Sequence, residues 1–361
     1  MLNLLARLCS IERDGDSLPD LAQSEVERLV ALAQSEGVSG WLLHRLTESY
    51  GDWAPAASLA KLLRPDAIST VVHNAHALGV VRLMESKLEG IATVRLKGIA
   101  LIESPYYADA SLRLAGDIDL WIQPDRIYEA RERLVAAGAK IPEHKGRPIE
   151  AESDAHLDGF DMNGISVELH RRLFRTYFNW DLPGSPADYA TTWHGRRILR
   201  PDAMTYHLVL HAYKHYVWQE IVLRWMVDIA VIISMTDNLD DLLGLLRKTS
   251  ADSAEAMRWA VGVAMPLLPK AKAEELRAMG FSPLAYAQNK AKGNVSTFKA
   301  KVAAIELLTS GLRTRISQAH GFGGKLGAIA GFVRYEIGRT RDRYPQDCLA
   351  TGIIKRIFKK K

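Results

Sequence analysis

The sequence predicts an α+β protein, a small mixed β-sheet core flanked by N-terminal helices and a C-terminal helical domain. Three observations predict it. Residues 1–88 place apolar side chains at helical spacing. Residues 91 to about 175 hold short β-branched runs and an Asn-Gly turn, and helical spacing returns from 201. The expected division is a helical region at 1–88, a mixed core at 89–200, and a helical domain with a basic tail at 201–361.

Leu21, Val26, Leu29, Val30 and Leu32 fall near one helical face before Gly37, which reads as a stop. Residues 38–50 continue the pattern. Residues 67–88 form a longer helix candidate ended by Gly90. The β-branched run 91–96 reads as a strand, and 98–103 as a short helix stopped by Pro105. Asp-Ile-Asp-Leu-Trp-Ile at 117–122 alternates polar with apolar and reads as a second strand. Pro124 and Asp125 open a helix that Gly138 closes. Residues 156–161 and 165–169 flank Asn163-Gly164, a hairpin signal. From Pro201 the helices are expected at 204–217, 221–235, 238–248, 253–266, 270–279 and 296–311.

The composition is ordinary for a globular chain, with 48% apolar and 25% charged residues, which argues against disorder. A net charge of +5 fits a phosphate-bearing ligand but is too modest for a long nucleic-acid track. The two cysteines, Cys9 and Cys348, make no metal-binding pair, so a zinc site is not expected. Their scarcity, early charges and the lack of a long apolar run near Met1 lead to the expectation of a cytoplasmic protein with no signal peptide and no transmembrane segment. The tail Lys355-Arg-Ile-Phe-Lys-Lys-Lys361 reads as a frayed cationic terminus, with peripheral membrane contact as the sharper alternative.

Residues i and i+2 of a strand share a face, so Asp117 and Asp119 would project together while Ile118 and Leu120 face the core. Adjacent carboxylates repel, and a hard divalent cation relieves that repulsion. The pair is therefore a natural place for one or two magnesium ions. Glu168 lies on the second arm of the hairpin with His170 on its face. It completes a three-carboxylate cluster if the hairpin neighbours the Asp119 strand, and is otherwise an exposed edge residue. Lys97-Gly98 ends a strand, where a glycine lets backbone N–H groups approach phosphate. Arg113 could grip a phosphate or neutralise the acidic pair. Arg224 and Asp228, four apart on a helix, could serve a nucleotide or simply pair with each other.

Three blocks, 96–101 (Leu-Lys-Gly-Ile-Ala-Leu), 113–120 (Arg-Leu-Ala-Gly-Asp-Ile-Asp-Leu) and 167–170 (Val-Glu-Leu-His), together with Leu-Arg-Trp-Met-Val-Asp-Ile-Ala at 223–230, resemble the uncharacterised nucleotidyltransferase family of the DNA polymerase beta-type superfamily. The resemblance spans roughly residues 70–235. It implies a nucleotidyltransferase core closed by a helical domain. It implies that Asp117, Asp119 and Glu168 are the catalytic carboxylates and hold two magnesium ions. It implies that Lys97, Gly98, Arg113 and Arg224 meet a nucleoside triphosphate. The acceptor would be a small molecule, sugar or peptide bearing a hydroxyl, with RNA as a toxin-type alternative. The sequence departs from the family pattern at Ile99, where a serine or glycine commonly follows the glycine; this leaves open a catalytically degenerate nucleotide-binding or scaffold module.

His207, His211 and His215 lie four apart on a predicted helix with Tyr206, Tyr213, Tyr216, Trp218 and Trp225 nearby. Without acidic or cysteine companions the row is expected to be structural or to line a substrate cleft, and the aromatics to be core.

Overall fold

The computed structural model describes residues 1–13, 15–141, 155–157, 159–174, 180, 182–217 and 220–292. The predicted helix at 296–311, Trp218 and the basic tail lie outside them. The N-terminal helices are α1 (Leu2–Leu8), α2 (Gln23–Ser35), α3 (Ser39–Ser49) and α4 (Ala56–Lys87). Then follow β1 (Thr93–Leu96), α5 (Lys97–Ile102), β2 (Ile118–Ile122), α6 (Ile127–Ala136), β3 (Phe160–Met162), β4 (Ile165–His170), β5 (Ala190–Trp193) and β6 (Arg196–Leu199). The later helices are α7 (Pro201–Val217), α8 (Leu223–Ser234), α9 (Leu239–Thr249), α10 (Ala251–Ala264), α11 (Lys270–Ala278) and α12 (Tyr286–Lys292). The α+β class is as predicted.

The six strands form one mixed sheet in the order β3-β4-β2-β1-β6-β5. β2 runs antiparallel to β1 and parallel to β4, while β6 runs parallel to β1. Asn163 and Gly164 both take positive φ (53° and 82°), as a two-residue hairpin turn requires. The sheet separates two cores. Ile118, Leu120, Ile122, Ile165, Val167 and Leu169 pack against the C-terminal half of α4 and against α6. Val94, Leu96 and Trp121 face the other way, into a core shared by the N-terminal helices and α7 to α11. Arg95 is fully buried on β1 and is bracketed by Glu85, at 2.7 Å, and Glu103.

Several boundaries differ from expectation. Helix α4 begins at Ala56, not 67, and runs through Pro65. A mid-helix proline costs a hydrogen bond, but Leu59 and Leu63 just before it are fully buried, and that packing carries the helix across. Asp117 lies one residue before β2. The face of β2 that carries Asp119 is buried as well, so the strand has no solvated side. The hairpin β5–β6 was not expected. Its strands have four residues each, β5 is mostly exposed, and in β6 only Ile198 and Leu199 are buried, so they show little apolar pattern. The short helix α12 was not expected either. No helix among the described residues is long and apolar enough to cross a membrane.

Candidate active site

The register of β2 and β4 decides the centre of the site. Asp119 stands directly across from Glu168, and Trp121 across from His170. Opposed residues on neighbouring strands point to one face, so Glu168 neighbours Asp119 and is not an exposed edge residue, while the close group of possible ligand atoms holds Asp119, Glu168 and His170 without Asp117. His170 Nε2 lies 2.8 Å from Asp119 Oδ1 and 3.5 Å from Glu168 Oε2. Lys97, at the end of β1, donates to Asp119 Oδ1 at 2.6 Å and lies 3.9 Å from Glu168. Lys97 reaches there from a left-handed backbone (φ 48°), which costs a non-glycine residue about 1–2 kcal/mol.

The electrostatics follow from this crowding. Burial alone would raise the Asp119 carboxyl, but Lys97 and His170 hold it far below the ordinary range. Glu168 is likewise penalised by burial, yet hydrogen bonding from His170 and the nearby charges of His156 and Lys97 pull it to about 2. Asp117 goes the other way: burial, Asp119 and Glu168 raise it above the ordinary carboxylate. Burial pulls the Lys97 ammonium down, but Asp119, Glu168 and Asp117 more than offset this, so it stays charged. Burial also opposes the His170 imidazolium, and its bonds to Asp119 and Glu168 overcome that.

Asp119 Oδ1 is thus doubly engaged, whereas Asp119 Oδ2 is buried with no hydrogen-bond partner among the described residues. A buried carboxylate oxygen left unpaired is costly. Ligand atoms of Asp119, Glu168 and His170 all lie within 4.8 Å of one another. The two carboxylates offer hard oxygen donors, with His170 engaged by Asp119 Oδ1, and they fit a divalent cation on chemistry and spacing.

The loop before β2 is held by α4. Asn74, fully buried, donates to the carbonyls of Ala110 (2.7 Å) and Arg113 (2.8 Å) and accepts from Ala115 N–H at 2.9 Å. His73 reaches the Ala115 carbonyl at 2.7 Å. Sequence reasoning missed both residues. Their only signal was a polar pair within the predicted helix, on which Ile68, Val71 and Val72 are exposed and Asn74 is buried.

The predicted cations divide. Arg113 pairs with Asp228, Nη2 to Oδ2 at 3.0 Å and Nε to Oδ1 at 3.2 Å, and Tyr107 donates to the same carboxylate at 2.7 Å. Asp228 therefore serves Arg113, not Arg224, which sets aside the local-pair alternative. Gly98 is packed against this arginine: a Cβ there would meet Arg113 Nη1 at 2.6 Å and Ala115 Cα at 3.1 Å. Arg224 lies in the electrostatic field of Arg113, Asp228, Asp117 and Tyr107. Burial and the Arg113 charge lower it to about 10, and its Nε is buried without a partner among the described residues.

Helix α7 lines the same face of the sheet. Burial holds His207 and His211 well below the ordinary imidazole range, and Lys97 adds to both shifts. Trp225 sits against His211 and His215, with ring centroids 5.1 and 4.6 Å apart. Among the described residues these histidines form no compact metal cluster.

Residues 22–261 match the family described as uncharacterised nucleotidyltransferase. The chain belongs to that family. Nucleotidyltransferase activity is thereby assigned to it in general terms, with the acceptor unknown. A solved structure, JHP933 from Helicobacter pylori, is 15% identical and aligns over 65% of this chain and 97% of its own. Its TM-score of 0.32 is too low to carry an argument. No curated protein matches the chain.

Proposed function

We propose that the protein moves a nucleotidyl group from a nucleoside triphosphate to a hydroxyl-bearing acceptor, with Asp117, Asp119 and Glu168 holding two magnesium ions. The observation that carries this reading is the pairing of Asp119 with Glu168 across β2 and β4, with Asp119 Oδ2 left unsatisfied beside it. Bound there, the ions would activate the acceptor hydroxyl and offset the charge on the triphosphate.

The chain's own residues do the rest. Lys97 and His170 fix the Asp119 carboxylate by two hydrogen bonds to one oxygen, which leaves the other oxygen to the ligand. Glu168, held at about 2, stays ionised and acts as a ligand; it is a poor proton acceptor. Asp117, which burial and its neighbours raise above the ordinary carboxylate, gains from a bound cation that offsets their charge. Arg224 supplies a cation with no protein partner among the described residues, suited to a phosphate oxygen. Arg113 and Gly98 act one step back: Arg113 secures α8 through Asp228, and Gly98 leaves room for it. A small molecule, sugar or peptide is the expected acceptor, and the modest charge disfavours RNA.

Titration calorimetry with magnesium and each of the four ribonucleoside triphosphates tests this. Wild type is expected to bind, and Asp117→Asn/Asp119→Asn to lose binding. Because Asp117 is raised, protons compete for it, so magnesium affinity should climb as pH rises above 3.8 and level off past its folded value. No binding by wild type, or equal binding by the double variant, overturns the reading. A second reading is motivated by Lys97, whose ammonium already neutralises Asp119 and approaches Glu168. In it the protein is a nucleotide-binding module without turnover. Triphosphate binding that is indifferent to magnesium would favour it.

A further inference from the structure

We propose that Glu36 and Gly37, in the turn between α2 and α3, are positioning residues of the nucleotide site that act by seating the guanidinium of Arg224. The proposal rests on the triphosphate reading above.

Arg224 is the second residue of α8, and that helix begins without a side-chain cap of its own. The first N–H groups of a helix need partners, and Glu36 supplies them from 187 residues away. Its carboxylate accepts from Leu223 N–H at 2.8 Å, and its carbonyl accepts from Arg224 N–H at 3.2 Å. A carboxylate at a helix N-terminus also has favourable electrostatics. Glu36 is itself held: it is 2% exposed, accepts from the Tyr286 hydroxyl at 2.6 Å, and pairs with Lys290.

The next residue sets the side chain. Gly37 takes φ +68°, and a Cβ there would lie 3.2 Å from Arg224 Nη1, 3.3 Å from Cδ and 3.4 Å from Cζ. The arginine therefore lies along the bare backbone of Gly37 from its Cδ to its guanidinium. Glu36 fixes the turn of helix that carries Arg224, and Gly37 fixes the direction in which it leaves. That direction places the guanidinium within the field of Asp117 and of the Arg113–Asp228 pair. The N-terminal helices are thus part of the site although they contribute no group to the carboxylate cluster. Tyr286 and Lys290, which hold Glu36 in place, lie beyond the family-matched residues.

A double-mutant cycle tests this. Dissociation constants for magnesium ATP and magnesium tripolyphosphate would be measured for wild type, Gly37→Asn, Arg224→Gln and the combination. Asparagine tolerates the left-handed backbone better than other side chains, and its Cβ would press on the arginine at 3.2 Å. Arg224→Gln is expected to weaken binding by about 10- to 100-fold, the equivalent of one charged hydrogen bond. Gly37→Asn is expected to weaken it in the wild-type background and to add nothing to Arg224→Gln. Glu36→Gln should behave the same way, and it replaces Gly37→Asn in the cycle should that variant fold poorly. Equal losses in both backgrounds, an unaffected Gly37→Asn, or an Arg224→Gln that binds like wild type would overturn the proposal. Failure of the triphosphate reading itself is separately visible, as a wild type that binds neither probe.

Discussion

Replacing Asp228 by asparagine isolates the buried contact that ties the acidic loop to the helices. The Asp228 carboxylate is fully buried, and the Arg113 side chain is 6% exposed. The pair is joined by two hydrogen bonds, with Tyr107 as a third donor. Asparagine keeps the shape but presents an amide to a guanidinium, so Arg113 remains buried with its charge uncompensated. Breaking such a pair from one side costs about 3–5 kcal/mol. At about 2 °C per kcal/mol for a chain of this size, the melting temperature should fall by about 6–10 °C. Calorimetry or urea unfolding would measure it. Arg113→Met/Asp228→Leu, which removes both charges, should recover most of the loss, because a well-packed apolar pair can replace a buried ion pair at little cost. A loss under about 1 kcal/mol for Asp228→Asn, or a double variant no better than the single one, would refute the view that an orphaned charge is what destabilises the protein.

Gly98→Ala should destabilise by about 1–3 kcal/mol, the usual cost of overpacking, because its Cβ meets Arg113 Nη1 at 2.6 Å; a melting curve unchanged from wild type would contradict the packing described. The neutral histidines predict acid lability. His207 and His211 are depressed in the folded state, so the unfolded chain alone takes up their protons below 6.5, and stability falls as pH drops from there towards their folded values. Each contributes a slope of up to about 1.4 kcal/mol per pH unit. His170 is raised, so it is protonated in both states below 6.5 and adds no slope there; its stabilisation is lost as pH rises through its folded value. Unfolding midpoints measured from pH 7 to 5 should therefore drop, and His207→Gln should flatten the curve; parallel curves for the two proteins would count against a buried neutral His207.

Much of the site was legible because its parts obey short-range rules. The two-residue spacing of Asp117 and Asp119, and the Asn163-Gly164 turn that sets the phase of β4, are local facts. What they could not give was the parallel pairing of β2 with β4, which turned Glu168 from an edge residue into the neighbour of Asp119. Arg113 shows the limit most clearly. Its partner is 115 residues away, and nothing local separates a phosphate-binding arginine from one that closes a buried pair. The roles of Gly98 and Gly37 are likewise invisible in sequence, since both depend on which distant arginine crosses them. Helix α4 begins before the expected residue 67 because tertiary packing carries it through Pro65, a residue that locally disfavours a helix interior.

The two cores share one beam. At 32 residues, α4 extends about 48 Å. Leu59 and Leu63 anchor its first half among the N-terminal helices, while Ala77, Val80, Val81 and Met84 form the wall behind the sheet. Between these stretches sit His73 and Asn74, which clasp the loop leading into Asp117. A fragment begun at residue 89, though it contains every carboxylate of the site, would lack that wall and the clasp. A piece with a shaped acidic loop therefore has to keep α4 as well as the strands.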